Sequence, residues 1–347
     1  MQAVDLQSIR RRADLYDQTG DWPTEDLDAL AAAGAMRWVI PKEFGGDEIS
    51  SLELHLRYEA IAAASLSTAL IFTQRDSAAA MIDASDNANL RETLLPRLAR
   101  NELFATIGIA QLTTSRQGGR PALVARRSEG GWILNGLIPW STGADRSRFI
   151  VAGAMVEDSS SNSIRQILFM LSTSTAGVMI DPPMSLVALQ SSHTGSVRCE
   201  EVFVEDRFVL IESAQSVMGR KKTVPLGQAF LAMGLCRAGV DLIDEHQSDL
   251  ARDSSQTFQS QLGDLRERVL RYCDPNQQPD PVEGPRLRGE CNDLALRITH
   301  AAVAIYKGTA LLHGHPAQRL AREAMFLLVW SCPNPVIDCT VQLLAAS

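Results

Sequence analysis

The sequence changes period at Phe104. Before that residue, and again after about Gly227, apolar side chains recur at helical spacing; between Phe104 and about Ile211 they recur at the spacing of strands. Phe104 to Ala152 is the clearest part of the change. Ala122–Arg127 and Phe149–Met155 are short runs of strand-forming residues, and Ser128-Glu129-Gly130-Gly131 is turn chemistry. Trp132-Ile133-Leu134 and Leu137-Ile138-Pro139-Trp140 flank Asn135-Gly136, a pair that predicts a two-residue hairpin because both of its positions need φ > 0. The whole reads as a block of antiparallel sheet set between two helical blocks.

The flanks support this. Leu6–Thr19 places Leu6, Ile9, Ala13 and Tyr16 near a 3.6 period, and Gly20 closes it. Thr24 is a candidate N-cap before Glu25 and Asp26, with Gly34 as the stop. Ile40-Pro41-Lys42-Glu43-Phe44-Gly45-Gly46 is a loop, Ser51–Thr73 reads as one long helix, and Asn89–Ala99 as another. Within the sheet block, Ile164–Ser172, Val197–Val204 and Phe208–Ile211 are further strands. Helical spacing returns at Gly227 and runs through Phe258–Tyr272; four prolines between Asp274 and Pro285 make a loop. Leu294–Leu312 and Ala317–Trp330 are two more helices, the second ended by Pro333 and Pro335.

Charge and cysteines narrow the function classes. A net charge of −8 argues against nucleic acid as a partner, and the basic runs Arg10-Arg11-Arg12 and Arg220-Lys221-Lys222 read as solvated faces. The start turns polar at once, without the pattern of a signal peptide, and the apolar runs are too short to span a bilayer. The six cysteines lack CxxC spacing, so a reduced, cytoplasmic setting with buried thiols is the expectation. His313-Gly314-His315 has no recognisable third ligand nearby and reads as a helix-entry loop. His193 reads as a loop residue.

Four motifs, in order, resemble those of the FAD-dependent acyl-CoA dehydrogenase superfamily, over nearly the whole chain. Ile40-Pro41 to Gly45-Gly46 is similar to that family's P-x-x-x-G-G loop, and Asn135-Gly136 to Trp140-Ser141-Thr142 to its N-G-x-K-x-W-I-T segment. His193-Thr194-Gly195 to Glu205-Asp206 is similar to its closing strands, and Arg319-Leu320-Ala321-Arg322-Glu323-Ala324 to the R-L-x-R-D-A of its last long helix. The resemblance implies an α+β chain with an N-terminal helical domain (1–103), a middle antiparallel β-barrel (104–215) and a C-terminal four-helix bundle (216–347). It implies FAD, with Trp140, Ser141 and Thr142 beside the flavin ring and Ser115 near the cofactor. It further implies an acyl-CoA or related substrate, and a homodimer or homotetramer formed through the C-terminal helices.

The departures from the family pattern are equally specific. The T-E-P-x-x-G-S-D flavin loop falls on Ala110–Gln117, where Ser115 stands one place short of the family's serine and Arg116 either meets a pyrophosphate or is a solvated loop residue. The R-x-x-F-G turn has no match around Asp253–Phe258. The glutamate base of most members falls on Ser331, and the alternative base of others near Val224. A serine without a partner such as histidine is not a useful base, so the catalytic residue stays unassigned. Three readings stand: an acyl-thioester dehydrogenase, a reduced-flavin monooxygenase suggested by Ser141-Thr142-Gly143-Ala144, and a non-catalytic relative.

Overall fold

The computed structural model describes residues 4–113, 121–157, 165–214, 217, 226–274, 276 and 280–346. Five helices come first: α1 (Leu6–Thr19), α2 (Thr24–Ala32), α3 (Ser51–Ala64), α4 (Leu66–Asp83) and α5 (Ala88–Ala99). α1 has the bounds its spacing predicts. The Asp5 carboxylate accepts from the Ser8 N–H at 3.0 Å at one end, and Gly20, at φ 70°, donates to the Tyr16 carbonyl at the other. Ser51–Thr73 is not one helix. Ser65 is extended at φ −155°, and its hydroxyl accepts the Thr68 N–H at 3.2 Å, so one helix stops there and the next is capped by the same residue.

The sheet follows: β1 (Ala105–Gly108), the short helix α6 (Ala110–Thr113), β2 (Leu123–Ser128), β3 (Gly131–Thr142), β4 (Phe149–Val156), β5 (Gln166–Ser172), β6 (Val178–Ile180), β7 (Thr194–Glu205) and β8 (Val209–Ala214). Their order is β6-β7-β3-β2-β4-β5-β8, with β1 also on β4. The expectation of a closed antiparallel barrel is corrected on two counts. The pairing path among the described residues is open from β6 to β8, and β4 runs parallel to both β1 and β2. The reason lies in strand length. β3 pairs with β2 only as far as Gly136, opposite Leu123, and overshoots it by half its length. The chain can therefore pass the start of β2 and return on its far side, parallel to it.

Asn135-Gly136 is not a hairpin either. It lies inside β3, where the register against β7 shifts between Leu134 and Gly136. The turn between β2 and β3 is Glu129-Gly130, within the Ser128–Gly131 turn segment. Gly136 has φ 125°, and a side chain there would collide with the Ala122 carbonyl. The dipeptide supplies a bulge, which asks for the same backbone freedom as a turn.

Among the described residues five helices follow, where a bundle of four is expected: α7 (Gly227–Asp244), α8 (Asp249–Tyr272), α9 (Glu283–Tyr306), α10 (Pro316–Leu327) and α11 (Asn334–Ala346). Pro335 sits in the first turn of α11, where no intrahelical N–H is needed, so it starts a helix. One continuous core joins the N-terminal and C-terminal helices, from Leu30, Ile61 and Phe72 to Phe230, Leu235 and Ile298. A second packs α4 and α5 on the sheet through Ile82, Leu95, Val151 and Leu168, and a third fills the sheet's inner face around Phe169 and Trp132.

Candidate functional site

The end of β3 that carries Trp140 is irregular. Ile138 pairs with Val197 and Ser141 with Gly195, so Pro139 and Trp140 together oppose Ser196. This second bulge turns Trp140 outward, 49% exposed, while Ser141 (1% exposed) and Thr142 face inward. The Ser141 hydroxyl donates to the Ile107 carbonyl at 3.1 Å. The Thr142 hydroxyl is 3.0 Å from that of Thr194, which is 2.8 Å from that of Ser192, and the Thr106 hydroxyl donates to the Thr142 carbonyl at 2.7 Å. Both side chains are thus held by protein partners. An exposed indole rests on a rigid, hydroxyl-rich strand end.

His193 and Trp22 brace that end, which sequence reasoning missed. His193, in a left-handed conformation (φ 47°), accepts the Gly143 N–H at its carbonyl. Its Nδ1 lies 2.8 Å from the Asp145 carboxylate and its Nε2 3.2 Å from the Gly20 carbonyl, so the ring joins the α1–α2 loop to the sheet. Trp22 meets His193 edge-on at 5.5 Å and Phe104 at 5.9 Å. A Cβ at Gly143 would stand 2.5 Å from the Trp22 ring, which is why glycine follows Thr142. A cleft of about 140 Å³ opens beside Trp22, lined by Leu27, Met36, Phe104 and Arg146.

Gln111, on α6 against β3 and β4, is a second residue the sequence did not reveal. Its Nε2 donates to the carbonyls of Gly108 (2.8 Å) and Gly153 (2.6 Å), and its buried Oε1 has no partner. The positions Ser115, Arg116 and Val224 lie outside the described residues.

Ser331 lies four residues beyond the end of α10, in a turn, exposed and at φ 49°. A non-glycine residue held there costs about 1–2 kcal/mol, so its surroundings must impose it. No carboxylate on α10 takes its place. Glu323, buried, accepts two hydrogen bonds from Arg319 Nη1, both 3.1 Å, and Arg319 also pairs with Asp14 of α1 at 2.6 Å. His315 caps α10 instead of joining a cluster: its Nδ1 accepts the Ala317 N–H at 3.1 Å.

Residues 6–102 match the family model described as "Acyl-CoA dehydrogenase, N-terminal domain". The chain is 22% identical to the probable acyl-CoA dehydrogenase YngJ of Bacillus subtilis, covering 92% of this chain and 89% of that protein. Its fold is similar to that of butyryl-CoA dehydrogenase from Megasphaera elsdenii, with a TM-score of 0.81 at 19% identity and 99% of each chain covered. The chain has the acyl-CoA dehydrogenase fold, and its residues 6–102 match that family's N-terminal domain. A glutaryl-CoA dehydrogenase from Mycobacterium smegmatis, solved in complex with FADH2, has a similar fold as well (TM-score 0.78, 17% identity, 100% of this chain and 96% of that one). At about 20% identity the chain is distant from these proteins.

Proposed function

We propose that this chain is an FAD-dependent oxidoreductase acting on the CH–CH group of an acyl thioester, with its flavin ring against Trp140-Ser141-Thr142. The observation that carries the reading is the half-exposed Trp140 on the bulge of β3, flanked by side chains already satisfied within the protein. A flat apolar group covering that indole removes its surface from water and needs no rearrangement of the strand. The unpartnered, buried Oε1 of Gln111 adds an acceptor suited to an N–H of such a ring, since a lone buried acceptor is costly. Complexation of the related glutaryl-CoA dehydrogenase with FADH2 supports the choice of cofactor.

Bound FAD would supply the acceptor for hydride leaving carbon. The chain's own residues do the rest. Trp140 covers one part of the ring. Ser141 and Thr142 contribute backbone there, because their hydroxyls face inward. The hydroxyl chain Thr142–Thr194–Ser192 and the His193 brace hold that backbone still. Ser331 supplies no base. The same reading places the chain in the cytoplasm as a homodimer or homotetramer, and divides it near 103 and 215.

The deciding experiment is the absorption spectrum of the purified protein, followed by FAD titration monitored through flavin fluorescence. Flavin bands or saturable quenching are expected; neither would leave a non-catalytic relative. Ser331 favours one other reading, a reduced-flavin monooxygenase, for which no carboxylate base is required. Substrate-dependent oxygen consumption with reduced flavin would select it.

A further inference from the structure

The turn that carries Ser331 is tied to α9 by one buried cation. Arg288 is 2% exposed, and its Nη2 donates to the Trp330 carbonyl at 2.8 Å and to Cys332 Sγ at 3.5 Å, the residues on either side of Ser331. Its Nε, also buried, has no partner, and no carboxylate among the described residues forms an ion pair with it. One helical turn on, Asn292 donates to the Leu327 carbonyl at 3.2 Å, which the Cys332 thiol also reaches at 3.2 Å. From one face of α9, Asn292 thus supplies the last carbonyl of α10 and Arg288 the carbonyl of Trp330 in the turn beyond it.

Burial alone would favour an apolar side chain at 288, because a guanidinium without a counter-ion is costly to bury. Burial pushes its pKa down, with the Cys332 thiol pulling the other way. What the arginine supplies, and a leucine or methionine would not, is a pair of donors aimed at positions 330 and 332. Between those two anchors Ser331 has little choice of backbone, and it takes φ 49°.

We propose that Arg288 is a positioning residue: it holds the Trp330 carbonyl on one side of Ser331 and the Cys332 thiol on the other, and thereby sets where the side chain at 331 stands. The clamp rests on geometry alone; its consequence for catalysis rests on the function proposed above.

The test is iodoacetamide labelling read at each cysteine by peptide mass spectrometry. Cys332, Cys236 and Cys291 are buried, while Cys273 and Cys339 are partly exposed and serve as internal references. Arg288→Met should raise labelling of Cys332 by about tenfold or more, as loss of a charge-assisted hydrogen bond allows, with Cys236 and Cys291 still protected. Arg288→Lys, which keeps a cationic donor without the guanidinium fork, should fall between. Unchanged Cys332 labelling in Arg288→Met overturns the clamp. So does an equal rise at Cys236 and Cys291, because that marks a general core role. The catalytic arm uses Ser331→Glu: adding Arg288→Met should lower its rate of flavin bleaching by about 10²-fold, as a misplaced group does, and leave acyl-CoA binding unchanged. If Ser331→Glu itself never bleaches, the proposed function fails while the labelling still decides the clamp.

Discussion

Gly234 of α7 lies directly against the Glu59 backbone of α3. A Cβ at Gly234 would collide with the Glu59 carbonyl and stand 2.7 Å from the Ala62 Cβ and 3.0 Å from the Ala63 N. Two of these three atoms are backbone, so α3 cannot give way without moving as a helix. Alanine in an exposed helix is worth about 0.5–1 kcal/mol over glycine, but overpacking costs about 1–3 kcal/mol. The clash wins. Gly234→Ala should be destabilised by about 1–2 kcal/mol, read as a lower urea midpoint with an unchanged slope; a stabilised variant would show that these helices do not cross as described.

His55, on the same helix, gives the chain a pH-dependent component. Its ring stacks on Phe230 at 5.1 Å, and burial lowers its pKa below the usual 6.5. The unfolded chain therefore binds a proton at a higher pH than the folded one. Stability from this site is present above about pH 6.5 and falls as acid carries the pH from there toward the folded pKa. Thermal melts from about pH 8 to about pH 5 should show wild type losing more stability on acidification than His55→Gln. Parallel curves would remove the assignment.

How far the sequence could be read depended on whether a signal was local. Gly20 ends α1 where it is expected to, because a left-handed C-cap depends on its own neighbours. Asn135-Gly136 was equally local and still ambiguous. A hairpin and a bulge both use φ > 0, and only the partner strand separates them: Asn135 Nδ2 donates to Glu201 at 2.5 Å, and the Glu201 N–H donates back at 2.8 Å. The break at Ser65 is hidden because apolar residues continue on both sides of it, and its cap becomes visible only as a hydrogen bond. At the site, Trp140 is legible through a motif. Gln111, Arg288 and His193 are not, since each reaches at least one carbonyl or carboxylate far away in sequence, and such contacts leave no spacing to detect.

Trp140 carries the cofactor prediction. Trp140→Ala should weaken FAD binding by about tenfold, near the 1.4 kcal/mol an aromatic contact supplies, and Trp140→Phe by less. Thr142→Ala should matter less than either, because that hydroxyl is already paired with Thr194. Fluorescence titration of FAD against each variant measures this, and equal affinities throughout would move the flavin elsewhere.

Assembly should depend on the last two helices. Ile337 and Val341 (57% exposed) lie one turn apart on α11, and Met325 and Val329 are exposed on or just after α10. Exposed large apolar side chains on both of these elements are what an interface between copies would cover. Light scattering at micromolar concentration should report a dimer or tetramer, and Val341→Glu should shift the mass toward monomer with the circular dichroism spectrum retained. A wild-type monomer would count decisively against this.

Ser331 decides what chemistry is available. A carboxylate at that place could remove a proton beside a thioester carbonyl. A hydroxyl with no adjacent base cannot, and general-base catalysis is typically worth about 10² to 10⁴ in rate. The acid of α10, Glu323, is buried and bound to Arg319, so it cannot swing in without leaving a buried cation unpaired. Native protein loaded with FAD should therefore bleach slowly or not at all with saturated acyl-CoAs under anaerobic conditions. Ser331→Glu should bleach measurably faster, with the gain appearing above the pH at which the new carboxyl ionises. Strong bleaching by the native protein would mean that another residue supplies the base.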